Sequence, residues 1–235
     1  MQYYYTIRAD VRGSSKSKKY QELSSIVEKV NTGLDSFFNP KSTLISLMVR
    51  NGDELFGIYK DPNIFLEVYE RLLTVVKFFK VPLYIGLGYG TLDKETNDEH
   101  LVNGPSIWMA TEALESISKQ IGKYDEKLNF NIRVKVMFKD TEQVNKIYQT
   151  LFYLFSEKIL KRTYDQSRAV ELIKKYPNKT YHELYDLINP KHNKEEDDTE
   201  NKRIKFTKYL QRAEYHLVND LVNLLLYNLK GMSKI

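Results

Sequence analysis

Apolar and polar residues stop alternating after Phe138, and every apolar repeat beyond that point has helical spacing. A strand buries every second residue and a helix buries one stripe, so the change of period confines all strands to the first part of the chain. The expected class is α+β: a sheet domain over residues 1–140, a linker helix over 141–162 and an all-helical unit over 163–235.

Within the first part, Tyr3-Tyr4-Tyr5-Thr6-Ile7-Arg8-Ala9 reads as a strand that runs into Asp10 and a turn at Val11-Arg12-Gly13-Ser14-Ser15. Residues 17–38 keep helical spacing at Leu23, Ile26, Val27, Val30, Leu34 and Phe37, and Asn39-Pro40 closes them. Two short β-like runs, 44–49 and 55–59, flank Asn51-Gly52-Asp53-Glu54. Asn-Gly suits the positive φ angles of a tight hairpin. A helix over 63–79, a strand over 82–90, a polar loop over 93–103, a helix over 105–121 and a strand over 132–138 complete the series. Strand, helix, hairpin, helix, strand is the ferredoxin-like βαββαβ arrangement, in which the first strand lies beside the hairpin.

That topology makes neighbours of the first strand's end and the hairpin tip. Asp10 and Asp53 then converge, with Glu54 adjacent. Hard divalent ions such as Mg²⁺ take one or two carboxylates together with phosphate and water oxygens. Arg12, Gly13, Ser14 and Ser15 lead into a helix N-terminus, whose free N–H groups favour phosphate. Taken singly these residues have plainer roles, Asn51-Gly52 as a turn and Asp10 as a strand-end cap; the combination points to chemistry. Gly86, Gly88 and Gly90 share one side of their strand, and the expected reason is close approach of a helix. Trp108 is expected in the core.

Four blocks carry a resemblance: Ala9-Asp10-Val11-Arg12-Gly13-Ser14, Arg50-Asn51-Gly52-Asp53-Glu54-Leu55-Phe56-Gly57, Ile85-Gly86-Leu87-Gly88-Tyr89-Gly90 and Asn103-Gly104-Pro105. In this order and spacing the chain resembles the SatD family of bacterial proteins. Residues 3–140 resemble the palm shared by class III nucleotidyl cyclases and GGDEF-type diguanylate cyclases. The resemblance implies Asp10 and Asp53 as metal ligands for Mg²⁺ or Mn²⁺, and Asp10, Asp53 and Glu54 as the catalytic acids. It also implies Gly52 as a glycine that lets backbone approach phosphate, a nucleoside triphosphate as ligand or substrate, and a homodimer. The chain departs from the pattern at Asn51, where GGDEF proteins have glycine. It departs again at Trp108 and Glu112, where class III cyclases carry an Asn and an Arg that assist the transition state. The departures bear on cyclisation and leave metal and nucleotide binding as what the likeness implies.

SatD proteins also carry a helix-turn-helix-like region, and residues 166–229 resemble it. From residue 161 onward there are 15 basic residues against 11 acidic, five of the acids lying in Glu195-Glu196-Asp197-Asp198-Thr199-Glu200. Lys202, Arg203, Lys205, Lys208 and Arg212 on a helix expected over 203–229 are the candidates for duplex DNA contact. Three readings of the whole stand open: a metal-dependent nucleotide-binding protein, with or without nucleotidyl cyclase or nucleotidyltransferase activity; a DNA-binding regulator that uses the palm as sensor or dimerisation unit; and a structural interaction protein that keeps the fold without the chemistry. The chain has no cysteine, which excludes disulfides and thiolate chemistry. No apolar stretch approaches the ~20 residues of a membrane span, so the expectation is a cytoplasmic protein without a membrane partner.

Overall fold

The computed structural model describes residues 2–13, 19–34, 37–119, 132–138, 141–190 and 198–232. Five strands, β1 (Tyr4–Val11), β2 (Thr43–Arg50), β3 (Glu54–Tyr59), β4 (Leu83–Gly90) and β5 (Ile132–Met137), form one sheet in the order β2-β3-β1-β4-β5. β1 is antiparallel to both β3 and β4, whereas β4 and β5 run parallel. The first four strands have the ferredoxin-like order, and β5 extends it by one crossover. The fold is α+β.

Helices α1 (Leu23–Asn31) and α2 (Pro62–Phe79) make the two split crossovers. A 3-10 turn, Lys19–Glu22, precedes α1. The helix expected over 17–38 is shorter because Gly33 adopts φ +73° and turns the chain out. Phe37, expected on its apolar face, is 52% exposed. Helix α2 starts where Asp61 caps the Asn63 N–H at 2.8 Å with Pro62 in the first turn, and it ends at left-handed Lys80.

Odd-numbered β1 residues Tyr5, Ile7, Ala9 and Val11 enter one large core with α1 and α2. Even-numbered residues face α3 (Pro105–Lys119), which links β4 to β5 across the other side. Gly86 and Gly88 let α3 lie almost on the strand: a Cβ on either would come within 2.2 Å of a helix carbonyl, that of Ala110 or Ser106. Those strand glycines therefore serve close helix packing, as expected. Trp108 does not enter the core. It is 53% exposed at the start of α3, its indole N–H donating to Asn103 Oδ1 at 2.8 Å.

Helix α4 (Glu142–Lys161) packs on the first face, and then α5 (Tyr164–Lys175), α6 (Tyr181–Ile188) and α7 (Thr199–Arg212) gather around their own core of Ala169, Leu172, Leu184, Phe206 and Leu210. Capping boxes start two of them, Thr163 with Gln166 and Thr180 with Glu183. The single helix expected over 203–229 is two: the chain turns at Ala213 and Glu214, the latter at φ +51°, and resumes as α8 (Tyr215–Met232). Val218, Leu225, Leu229 and Met232 of α8 join the sheet core instead of the helical one, and Tyr5 donates to the Leu229 carbonyl at 3.1 Å.

A buried ionic junction ties the helical unit to α2. Arg162, 3% exposed, donates to Glu70 at 2.9 Å and to the Ala213 carbonyl at 3.3 Å. Lys174 reaches Glu70 at 2.8 Å and Glu67 at 3.3 Å, while Lys77 donates to the Arg162 carbonyl. No helix among the described residues is long and apolar enough to cross a membrane.

Candidate metal and nucleotide site

The pairing registers put Arg50, Glu54, Asp10, Tyr84 and Arg133 opposite one another, one per strand, in a single row across the sheet. Directly opposed residues project to the same face, here the α3 face. The row lies at the open end of the sheet, beyond the glycines on which α3 rests.

The hairpin between β2 and β3 has three loop residues, Asn51, Gly52 and Asp53, since Arg50 pairs with Glu54. Asn51 at φ +53° and Gly52 at φ +91° supply the positive angles the turn requires. Asp53 is thus the last residue of the tip, not part of a strand. Its carbonyl accepts from the Val11 N–H at 3.4 Å, so the tip adjoins the end of β1 as the topology demands. Arg12 leaves β1 with its N–H bonded to the Pro82 carbonyl at 2.9 Å. A side chain at Gly52 would meet nothing within 4 Å, which leaves the backbone open to a ligand.

Asp10 and Asp53 are both half-buried, and among the described residues neither forms an ion pair. Burial pushes the Asp10 carboxyl up from its ordinary value, the Asp53 charge adds to the rise, and the Val11 backbone offsets part of it. Two half-buried neighbouring carboxylates, neither in an ion pair among the described residues, suit a single divalent ion whose remaining positions go to water or phosphate.

Glu54 differs from the third free acid expected there. Arg8 Nε donates to its Oε1 at 2.5 Å; Arg50 donates Nη2 to Oε1 at 3.0 Å and Nε to Oε2 at 3.1 Å. Both oxygens are occupied, and the side chain is neutralised in place. The arginines are anchored in turn. Arg8 Nη1 donates to Thr111 of α3, and Arg50 lies 4.0 Å from the centroid of the Phe56 ring while donating to the Glu99 carbonyl at 3.3 Å. Glu54 therefore fixes the base of the hairpin next to Asp53, its charge matched by two guanidinium groups.

On the other side of Asp10, Arg12 and Arg133 lie over the Tyr84 ring at 5.9 and 5.4 Å from its centroid. Two cations thereby flank Tyr84, the residue opposite Asp10 on β4. Gly13 has φ +67°, and the 3-10 turn that precedes α1 begins at Lys19; Ser14 and Ser15, expected with Arg12 and Gly13 to cradle phosphate, lie outside the described residues. Arg8, Arg50, Tyr84, Arg133 and Thr111 were not singled out from the sequence. Arg8, Tyr84 and Arg133 stand at alternating strand positions on the side opposite the core, a signal that becomes visible only once the register is fixed.

In the helical unit, α5 and α6 are joined by residues 176–180, a five-residue turn. Of the expected duplex-facing residues, Lys202 is pulled in to Asp186 at 2.8 Å and keeps 16% side-chain exposure, while Arg203 pairs with Glu200 on its own helix. Lys208 and Arg212 are exposed. No family model and no curated protein sequence matches the chain.

Proposed function

We propose that the protein binds a nucleoside triphosphate together with Mg²⁺ or Mn²⁺, the ion held by Asp10 and Asp53, as a SatD-type palm would. The observation that carries this reading is the contrast among the carboxylates where the end of β1 meets the hairpin. Glu54 is matched by two guanidinium groups, whereas its neighbours Asp10 and Asp53 are left facing each other without a counter-ion among the described residues.

A divalent ion would cancel that repulsion and bring phosphate oxygens to the hairpin tip. Arg12 and Arg133 lie over Tyr84, opposite Asp10, as cations for such phosphates, and the open backbone at Gly52 leaves room at the tip. The same geometry argues for binding ahead of turnover. Glu54 is held by two guanidinium groups, and Trp108 and Glu112 stand where an Asn and an Arg assist cyclases. The test is thermal unfolding with ATP or GTP, in Mn²⁺ and in EDTA, on the native chain and on Asp10→Asn and Asp53→Asn. Nucleotide should raise the melting temperature only with the metal and only in the native chain; equal stabilisation in EDTA would overturn the metal site.

The runner-up, a DNA-binding regulator, is favoured by one feature, the three-helix unit with its own core and the exposed Lys208 and Arg212 on α7. Salt-sensitive retention of duplex DNA by the full chain, lost on charge reversal in α7, would support it.

A further inference from the structure

We propose that the outer face of α4 and α8 is the surface through which two copies of this chain associate, back to back and with their metal sites pointing away from each other. This goes beyond the nucleotide reading and does not depend on it.

Helices α4 and α8 lie side by side on the sheet core. Lys158, near the end of α4, pairs with Glu214, just before α8, at 2.8 Å, so α8 runs back along α4 in the opposite direction. Their inner faces fill the core. The outer faces stay apolar as well: Ile147 is 60% and Leu154 40% exposed on α4, with Leu217 at 52%, Leu224 at 48% and Tyr227 at 80% on α8. Leu151 and Leu221, partly buried, belong to the same two helices. Spacings of seven from Ile147 to Leu154 and from Leu217 to Leu224 keep each pair on one side of its helix.

These five side chains leave on the order of 500 Å² bare, the upper end of the largest patch on a soluble monomer. With the leucines between them and a polar rim, the surface approaches the roughly 800 Å² per partner of a standard interface. The choice of a second copy rests on charge. A surface that meets itself across a two-fold axis must be complementary to itself, and like charges brought together there are costly. In a chain with 29% charged residues, the fifteen positions 215–229 hold one ionised side chain, Asp220, and no lysine or arginine. On α8 the stripe can face its own copy without repulsion, and its depletion of charge is that of an interface core, while on α4 the exposed Lys146 is neutralised by Glu142 at 2.8 Å.

Asp10 and Glu54 project to the α3 face of the sheet, opposite the face that carries α4 and α8, and Asp53 lies at the hairpin tip beside the end of β1. Association through the stripe therefore leaves both metal sites open.

The experiment is light scattering with sedimentation velocity on the full chain, in EDTA and without nucleotide. The native chain should be a dimer in the micromolar range. Leu224→Glu combined with Tyr227→Glu should weaken association at least about ten-fold, whereas Ile204→Glu, at an exposed apolar position on α7, should leave the dimer intact. If the double variant loses its helical circular dichroism, Leu224→Cys takes its place. The chain has no cysteine of its own, so a short thiol-to-thiol cross-linker should give covalent dimer from Leu224→Cys and none from Ile204→Cys. A monomeric native chain, a dimer indifferent to both variants, absence of the Leu224→Cys cross-link, or a monomer that instead binds phosphatidylcholine vesicles through the stripe would each overturn the proposal.

Discussion

Replacing Glu54 by Gln removes one charge and almost no volume, and the structure assigns its cost to the two arginines left behind. Glu54 is 7% exposed and receives three guanidinium hydrogen bonds at 2.5 to 3.1 Å. Breaking a fully buried ion pair from one side costs about 3–5 kcal/mol. Here Arg8 and Arg50 keep 18% and 13% of their side-chain surface, so water recovers part of that and about 2–3 kcal/mol is the expected loss. For a chain of this size that lowers the melting temperature by about 5–10 °C. Urea unfolding in EDTA at pH 7 measures it. Asp10→Asn in the same assay should move the other way. The folded state raises the Asp10 carboxyl above its ordinary 3.8, so protonation favours the fold; that contribution is complete below the ordinary value and is lost as pH rises through the folded one. At pH 7 the metal-free native chain carries the repulsion and Asp10→Asn does not, so the variant should be the more stable and should have a flatter stability profile across the acid range. A loss below about 0.5 kcal/mol for Glu54→Gln would put the clamp among solvent-screened surface pairs and return Glu54 to the pool of metal ligands. Destabilisation by Asp10→Asn would refute the repulsion on which the metal site rests.

The variant that destabilises least should lose most ligand: Asp10→Asn is expected to abolish the Mn²⁺-dependent nucleotide shift, and Glu54→Gln to retain part of it, as calorimetric titration of each at a temperature where both are folded would show. Gly88→Ala places a Cβ 2.2 Å from the Ser106 carbonyl and 2.4 Å from the Ala110 N–H, both rigid backbone, and should cost about 3 kcal/mol in urea unfolding. Gly231→Ala, in the last turn of α8 with nothing within 4 Å, should instead stabilise by about 0.5–1 kcal/mol. Charge reversal at Arg203 and Lys208 should remove any duplex affinity of the full chain without altering the nucleotide shift; retention of salt-sensitive binding in that variant would move the DNA contact off α7.

The alternation in β1 and β5, the Asn51-Gly52 turn and the Thr180 capping box are local signals, and each gave its element from a few adjacent residues. Asp10 and Asp53 became neighbours through topology alone, because a split crossover leaves no other place for the hairpin. What the sequence did not disclose was pairing at a distance. Nothing near Glu54 in the chain says that Arg8 will lie beside it, since that contact is made by the β1–β3 register. Periodicity likewise marks the apolar stripe of α8 without naming the core that receives it. Gly33 ended α1 early because a left-handed residue outweighs a continuing apolar period. The size of Trp108 points to the core, yet its indole N–H finds Asn103 at the surface.

The return of α8 to the sheet has a consequence for how the chain is made. Helices α5 to α7 sit between α4 and α8 as an insertion, so the sheet core receives Val218, Leu225, Leu229 and Met232 only after the whole helical unit has been synthesised. On a ribosome that emits roughly 5–20 residues per second, domains usually form from the N-terminus onward. Here the nascent sheet must wait some seconds with the side of Tyr5 and α4 that α8 will cover exposed to water. A chaperone that shields apolar surface during that interval would bind the first 160 residues and leave once α8 emerges, and a chain arrested before residue 215 should stay bound.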